Sequence, residues 1–406
     1  MQIGLLYYEK PILNIAQNNN ILIIDKSVLL KYNIFKGSEL VKTKKLWIKW
    51  IFCGIPAFLA ALMYFLLPHF PKFCEYVFSR GIFRIIGFPF QKIISLLPFS
   101  VTELAVILAI PFLITLLAVF VIKIIKKSGK IKIFEKGMRF TAWCLSVALL
   151  IYMVMHGANY YRIPVAELLD LPERTYTAED LYKVTCDIVN KANAVRQKLP
   201  EDENGCVVLS VTESELLKNA DDCYNNLNKD YPFLKTGVTR AKSVMLSHYW
   251  SYTGITGVYC PWLSEANVNT DTPQSSRAHT AAHEIAHTMG IAREDECNFL
   301  AWLACTTCGN ADYEYSGHLS AYIYCINTLS KTDKELWQKA VSLCSDGMIR
   351  DLKQRNAYWK SFEGEVMETS NDFNDSFIKA NGVESGVFSY NRMVELLLRY
   401  YDIDKI

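Results

Sequence analysis

The stretch from His283 to His287 contains the residue types of a metal-dependent hydrolase. Its sequence is His-Glu-Ile-Ala-His, so the two histidines lie four positions apart. On an α-helix, residues four apart lie on one face and can present both imidazoles to one ion. Glu284 follows the first histidine, where its carboxylate can accept a proton from a metal-bound water. The spacing therefore predicts a zinc site with His283 and His287 as ligands and Glu284 as the general base.

A catalytic zinc ion takes three protein ligands and leaves one position for water, so one ligand must come from outside this stretch. One group of such enzymes has a third histidine six residues after the second, but this chain has Arg293 there. A second arrangement uses a glutamate at the start of the next helix, and Glu294 fits it. Glu296 is the main alternative ligand. Asn298, one turn after Glu294, could hold a ligating imidazole by a hydrogen bond.

The sequence around these residues predicts the elements that position them. Residues 243–269 are rich in Val, Tyr, Trp, Thr and Gly, which is typical of short strands. A helix is expected from about residue 277 to 289, with Gly290 as its stop signal. Further helical patterns follow almost to the end of the chain. We therefore expect a mainly α protein, in which a small sheet and the active-site helix belong to an α+β domain.

The first 160 residues contain three long apolar runs. Spans are predicted near residues 47–67, 102–122 and 139–157, each close to the length that crosses a lipid bilayer. Between the first two runs, residues 70–100 combine Arg80, Arg84 and Lys92 with many aromatic residues. This mixture predicts an amphipathic segment that lies on the outer membrane surface.

Basic residues predict the orientation of these spans. They lie before or at the start of the first span, or between the second span and the start of the third: Lys42, Lys44, Lys45, Lys49, Lys123, Lys126, Lys127, Lys130, Lys132, Lys136 and Arg139. Basic loops stay in the cytoplasm, so three crossings place the N-terminus inside and the C-terminal part outside. The start of the chain lacks the pattern of a cleaved signal peptide. We expect a cytoplasmic extension over residues 1–45, a membrane domain over 46–158 and an extracytoplasmic domain over 159–406.

The composition excludes one class of partner. The chain has 406 residues, 51% of them hydrophobic, and its formal net charge is only +2. A nucleic-acid-binding domain is usually strongly basic, so no nucleic acid is expected as a partner. The high apolar content instead agrees with a protein of the cell membrane.

Several stretches of the chain match a known family. They are Asn159-Tyr160-Tyr161-Arg162, Gly257–Asn267, His283–His287, Arg293–Ala301, Tyr315-Ser316-Gly317 and Ser389–Val394. Through them, over roughly residues 50–401, the chain resembles an uncharacterised family of bacterial multi-pass membrane proteins. That family is grouped with the gluzincins, zinc metallopeptidases whose third ligand is a glutamate. The resemblance implies an N-terminal membrane region and a C-terminal zincin-like domain. Cys297 stands where the family usually has alanine, a small change that leaves the helix intact.

Two functions follow as expectations. The first is a membrane-anchored zinc metallopeptidase that acts on a peptide or protein substrate outside the cytoplasm. Tyr390 and Arg392 could stabilise the oxyanion of peptide hydrolysis, because a phenol or a guanidinium suits that task, although structural packing is the alternative for both. The second is a non-catalytic zinc-binding membrane sensor or assembly protein. Glu284 favours the first, since a module that only binds metal needs no base at that position.

Overall fold

The structure is a computed structural model, and it describes residues 26–126, 130–381, 383 and 390–401. The chain divides into two compact units, Met1–Ile55 and Pro56–Ile406. All described residues of the first unit belong to helix α1, whose full extent is Lys26–Leu66. The second unit contains every other described helix and strand.

Helices make up most of the second unit. They are α2 (Pro71–Phe73), α3 (Phe83–Ser95), α4 (Val101–Lys126), α5 (Lys130–Met155), α6 (Val165–Leu168), α7 (Ala178–Arg196), α8 (Glu213–Lys218), α9 (Leu227–Asp230), α10 (Ser247–Ser251), α11 (Gln274–Thr288), α12 (Glu294–Thr307), α13 (Ala311–Thr332), α14 (Lys334–Val341), α15 (Asp346–Lys360), α16 (Glu365–Ala380) and α17 (Tyr390–Tyr400). A π-helix covers Cys74–Ile82, and short 3-10 helices cover Leu67–His69, Gly157–Tyr161 and Asp222–Tyr224. The prediction of a mainly α protein is confirmed.

Three helical stretches are long and apolar enough to cross a membrane, judged by their length and composition. They cover Lys45–His69, Val101–Ile125 and Ile131–Tyr161. The three predicted apolar spans are therefore confirmed as helices of membrane-crossing character. The third begins earlier than expected and includes Lys132 and Lys136. Lysine can be accommodated near the end of a span, because its long stem lies along apolar surface while the ammonium group reaches water.

The predicted interfacial segment, residues 70–100, is amphipathic in the structure. Some of its polar side chains point inwards, and Glu75 and Gln91 are fully buried. Many of its apolar side chains point outwards, and Ile85, Ile93 and Leu96 are exposed by 76%, 61% and 80%. An exposed apolar face of this kind suits contact with lipid. Its position on the membrane surface stays a prediction.

Gln91 shows what the polar face of this segment contacts. Its amide nitrogen donates to Oγ of Ser264 and to the carbonyl oxygen of Thr288, both at 2.9 Å. Its amide oxygen accepts from the backbone nitrogen of Gly237 at 2.8 Å. A buried amide needs such partners, because an unpaired buried polar group is destabilising. The segment is thus bonded to the C-terminal part of the same unit, including the end of α11.

The core of the C-terminal part is formed by α7, α11, α12 and α13. Its fully buried side chains include Ile188, Ile285, Phe299 and Leu319, one from each of these helices. Alanines at positions 278, 281, 282 and 286 of α11 are also fully buried. Small side chains let neighbouring helices approach closely. Helix α11 therefore lies at the centre of this core, where close packing fixes its position.

Three short strands form one small sheet. They are β1 (Lys242–Ser243), β2 (Gly257–Cys260) and β3 (Glu265–Val268), in the order β1-β3-β2. β1 pairs with β3 in parallel, whereas β2 pairs with β3 antiparallel, with Val258 opposite Asn267. The predicted small sheet is confirmed. β2 is an edge strand of this sheet. The chain continues from β2 through β3 to α11.

Candidate metal centre

Helix α11 and the turn after it determine where the candidate ligands lie. The helix starts at Gln274, slightly earlier than predicted, and ends at Thr288. Gly290 has a φ of +80°, a conformation that favours glycine and lets the chain turn back along the helix. Arg162 donates to the carbonyl oxygens of Met289 and Gly290 at 3.3 and 2.7 Å. This turn brings Glu294, the first residue of α12, next to the histidines of α11.

His283, His287 and Glu294 form a compact group of potential metal ligands. Their ligand atoms all lie within 4.8 Å of one another. Nε2 of His283 lies 3.1 Å from one carboxylate oxygen of Glu294, and Nε2 of His287 lies 3.4 Å from the other. Burial works against the charge of Glu294, but the two imidazoles lower its pKa well below the usual value. The structure therefore brings together both predicted histidines and the predicted third ligand.

The other ring nitrogen of each histidine faces a hydrogen-bond acceptor. Nδ1 of His283 lies 3.0 Å from Oδ1 of Asn298, and Nδ1 of His287 lies 2.8 Å from the carbonyl oxygen of Ile291. An acceptor at Nδ1 keeps the ring proton there and leaves the lone pair of Nε2 for a metal. Two such imidazoles and one carboxylate fit Zn²⁺ with an open position for water. Asn298 lies where it was expected.

Glu284 lies beside this group, and its carboxyl group is buried with one oxygen atom unpaired among the described residues. The residue is 4% exposed, and its Oε2 atom has no hydrogen-bond partner among the described residues. Burial raises the pKa of Glu284 to about 7. A buried carboxylate oxygen without a partner is rare in a folded protein. A metal-bound water would give it a proton to accept, so this atom also fits the predicted site.

Gly257 makes room for this carboxylate. A Cβ atom at Gly257 would lie 2.8 Å from both Cγ and Cδ of Glu284. Real Cβ atoms do not approach other heavy atoms so closely, so a side chain here would displace Glu284. Glycine at the first position of β2 therefore leaves the space that the Glu284 carboxylate occupies.

A cavity of about 720 Å³ opens onto the group. Its wall includes β2 and residues of α11, α13, α15 and α16, together with the end of the third apolar stretch. This volume is typical of a ligand-binding site. The candidate ligands are thus accessible to a molecule larger than water.

Four residues at the cavity were not predicted from the sequence. Tyr259 stacks on the ring of His287 with a centroid distance of 5.9 Å, and the ring of His156 lies 5.8 Å from that of His287. Tyr324 of α13 and Arg355 of α15 also line the cavity. No sequence spacing connects these residues with the histidines, because tertiary packing alone brings them together.

Two other candidates, Glu296 and Arg392, do not join the group, and a third, Tyr390, cannot be placed. Glu296 accepts hydrogen bonds from the backbone nitrogen of Val165 at 2.9 Å and from Arg293 at 2.7 Å. Its carboxylate therefore bonds to these two residues and not to the histidines. Arg392 is exposed and does not line the cavity. Tyr390 begins α17, and its side chain lies outside the described part of the structure.

Comparison with known protein families identifies a match that covers most of the chain. The model of a family described as "Protein of unknown function (DUF3810)" matches residues 78–398. No curated protein and no solved structure matches the chain. The matched range includes the second and third apolar stretches, the sheet and the whole group of candidate ligands.

Proposed function

The chain belongs to the DUF3810 family, whose function is unknown, and we propose that it is a membrane-anchored zinc metallopeptidase. The observation that carries the proposal is the buried carboxylate of Glu284, whose Oε2 has no hydrogen-bond partner among the described residues, beside His283, His287 and Glu294. Binding a metal requires only the three ligands. A second carboxylate that binds no metal and has no hydrogen-bond partner is useful where a water must lose its proton. This arrangement supports hydrolysis better than a purely metal-binding role.

The zinc ion would be held by Nε2 of His283, Nε2 of His287 and the carboxylate of Glu294. When bound, such an ion lowers the pKa of its water and polarises the scissile carbonyl group. Glu284 accepts the proton of the attacking water and can return it to the leaving amine. Asn298 orients one imidazole, and the Ile291 carbonyl oxygen orients the other.

The edge strand β2 gives the proposal a way to bind a peptide. Gly257, Val258 and Tyr259 all line the cavity. β2 pairs with β3 along one edge, and among the described residues no strand pairs with its other edge. An extended peptide can add to such an edge through backbone hydrogen bonds. A polypeptide substrate therefore suits this cavity.

The location of the activity follows from the apolar stretches. Three stretches of membrane-crossing character support a protein of the bacterial cell membrane. The distribution of basic residues supports a cytoplasmic N-terminus and a C-terminal domain outside the cytoplasm. We therefore propose that the substrates are peptides or proteins outside the cytoplasm.

The Glu284→Gln protein tests this function. Full-length wild type and variant are purified in detergent, loaded with zinc and incubated with a peptide library. We expect one zinc ion in each, cleavage by wild type, and a loss of at least about a hundredfold in the variant. Glu296→Gln is the matched control, because it removes a nearby carboxylate from outside the ligand group. If zinc binds but neither wild type nor control cleaves, the proposal is wrong and a zinc sensor or assembly protein is favoured.

A further inference from the structure

Arg355 brings an unpaired positive charge into the cavity. It lies on α15 and is half-buried, and burial lowers its pKa. Within the part of the chain that the structure describes, it forms no hydrogen bond or ion pair through its side chain. It is also the only lysine or arginine among the described residues that line the cavity. A guanidinium stays charged at neutral pH even in such surroundings.

Four other arginines with little solvent exposure have carboxylate partners in this protein. Arg162 pairs with Glu75 at 2.7 Å, Arg196 with Asp351 at 2.6 Å, Arg277 with Glu213 at 2.7 Å and Arg293 with Glu296 at 2.7 Å. Such pairing is the rule, because removing a charge from water is costly without a partner. Arg84, another half-buried arginine, instead donates to the backbone carbonyl oxygens of Pro232 and Phe233. Arg355 has neither kind of partner among the described residues, and it lines the cavity, where a ligand could supply one.

Arg355 and the candidate metal ligands line the same cavity. Burial raises the pKa of Tyr324, the negative charge of Glu294 raises it further, and the positive charge of Arg355 lowers it. The hydroxyl group of Tyr324 therefore interacts electrostatically with both Glu294 and Arg355. Since both also face one cavity, a single bound peptide can contact the two sites at once.

We propose that Arg355 is a carboxylate-binding subsite that selects substrates with a negative charge near the scissile bond. The planar guanidinium can donate two parallel hydrogen bonds to a carboxylate, which gives both affinity and orientation. This inference rests on the proposed peptidase function and adds its substrate class. The carboxylate has two possible sources: the free C-terminus of a peptide, or an aspartate or glutamate side chain.

Cleavage of matched peptides by wild type and Arg355→Gln tests the subsite. One pair of peptides differs only in a free or amidated C-terminus, and a second amidated pair differs only in Asp or Asn. We expect wild type to cleave the acidic member of one pair with a kcat/KM at least about tenfold higher. The pair that shows the preference identifies the source of the carboxylate. In Arg355→Gln the preference disappears, because the kcat/KM of the acidic peptide falls to that of the neutral peptide, and zinc content stays unchanged.

The matched control is Arg350→Gln. Arg350 lies on the same helix, pairs with Glu201 at 3.0 Å and does not line the cavity, so its loss leaves the preference intact. Arg355→Lys, which keeps the charge but loses the planar fork, retains part of the preference. Equal rates for acidic and neutral peptides in wild type, or a preference that survives in Arg355→Gln, would overturn the subsite.

A binding measurement separates this inference from the proposed function. The Glu284→Gln protein is loaded with zinc and titrated with the same peptides, and their dissociation constants are measured. The subsite predicts that Arg355→Gln, added to this background, weakens the acidic peptide about tenfold and the neutral peptide little. This result supports the subsite even if wild type cleaves no peptide. Equal binding of both peptides would reject the subsite and leave the peptidase function to its own test.

Discussion

Nδ1 of His283 lies 3.0 Å from Oδ1 of Asn298, so a side chain of α12 orients a candidate ligand of α11. The amide oxygen accepts a hydrogen bond from the Nδ1–H group of the ring. The other ring nitrogen, Nε2, then faces Glu294. The same helix α12 begins with Glu294 itself. One helix thus supplies both a ligand and the group that orients another ligand.

We expect Asn298→Ala to weaken zinc binding by about 10–100-fold, because the imidazole of His283 loses the hydrogen bond that fixes its proton and its orientation. Competition with a chelating dye measures the affinity. Asn193→Ala is the control: Asn193 also forms hydrogen bonds, to Leu343 and Ser345, but lies away from the cavity. An unchanged affinity in Asn298→Ala would show that this contact does not orient the ligand.

Gly257→Ala tests whether the space beside Glu284 is needed for turnover. The added methyl group would displace the carboxylate, so we expect kcat to fall at least about tenfold while zinc content is unchanged. Peptide cleavage and metal analysis of the same preparation give both values. Gly364→Ala is the control, since no atom lies within 4 Å of a Cβ there. Full activity in Gly257→Ala would show that turnover does not need the space beside Glu284.

The candidate ligands could be predicted because their relationships are local. His283 and His287 lie on one helical face, and Gly290 turns the chain so that Glu294 reaches them. Arg355, in contrast, comes from a helix whose approach to the site depends on tertiary packing. Arg392 was selected only for its chemical type, and the structure places it on the surface away from the cavity.

The fold shows the same division between local and tertiary information. Apolar length predicted the three membrane-crossing stretches, and the mixture of basic and aromatic residues predicted that residues 70–100 are amphipathic. The sequence did not predict what the polar face of that segment contacts. Gln91 bonds to Ser264, Thr288 and Gly237, and such partners become visible only when distant segments are placed together.

The buried ion pair of Arg162 and Glu75 predicts a large stability effect. Arg162→Met leaves the fully buried Glu75 with Arg80 as its remaining partner, and the Gly290 carbonyl oxygen also loses a donor. We expect the free energy of unfolding to fall by about 3 kcal/mol. Denaturant unfolding in one detergent measures it.

Two further variants check this explanation. Adding Glu75→Gln to Arg162→Met should cost less than the sum of the two single changes, because the unpaired charge is removed. Lys339→Met breaks an exposed pair with Glu335 and should change the free energy of unfolding by less than about 1 kcal/mol. If the buried and the exposed pair have equal effects, burial does not determine the value.

The distribution of basic residues predicts the orientation in the membrane. Alkaline phosphatase, which is active only outside the cytoplasm, should be active when fused after Ile406 and inactive when fused after Ser128. The reason is that the lysines around Ser128 stay on the cytoplasmic side. Green fluorescent protein fused at the same two positions should give the opposite pattern. Phosphatase activity at both positions, or only after Ser128, would show that the orientation is wrong.

The last prediction concerns the choice between Glu294 and Glu296 as the third ligand. Only the carboxylate of Glu294 lies within reach of both imidazoles, whereas Glu296 bonds to Val165 and Arg293. We therefore expect Glu294→Gln to lose most of its zinc after dialysis against a weak chelator. Glu296→Gln should keep one zinc ion, because glutamine can still accept the hydrogen bond from the Val165 nitrogen. Metal analysis of both proteins decides the matter, and loss of zinc from Glu296→Gln alone would assign the ligand to Glu296.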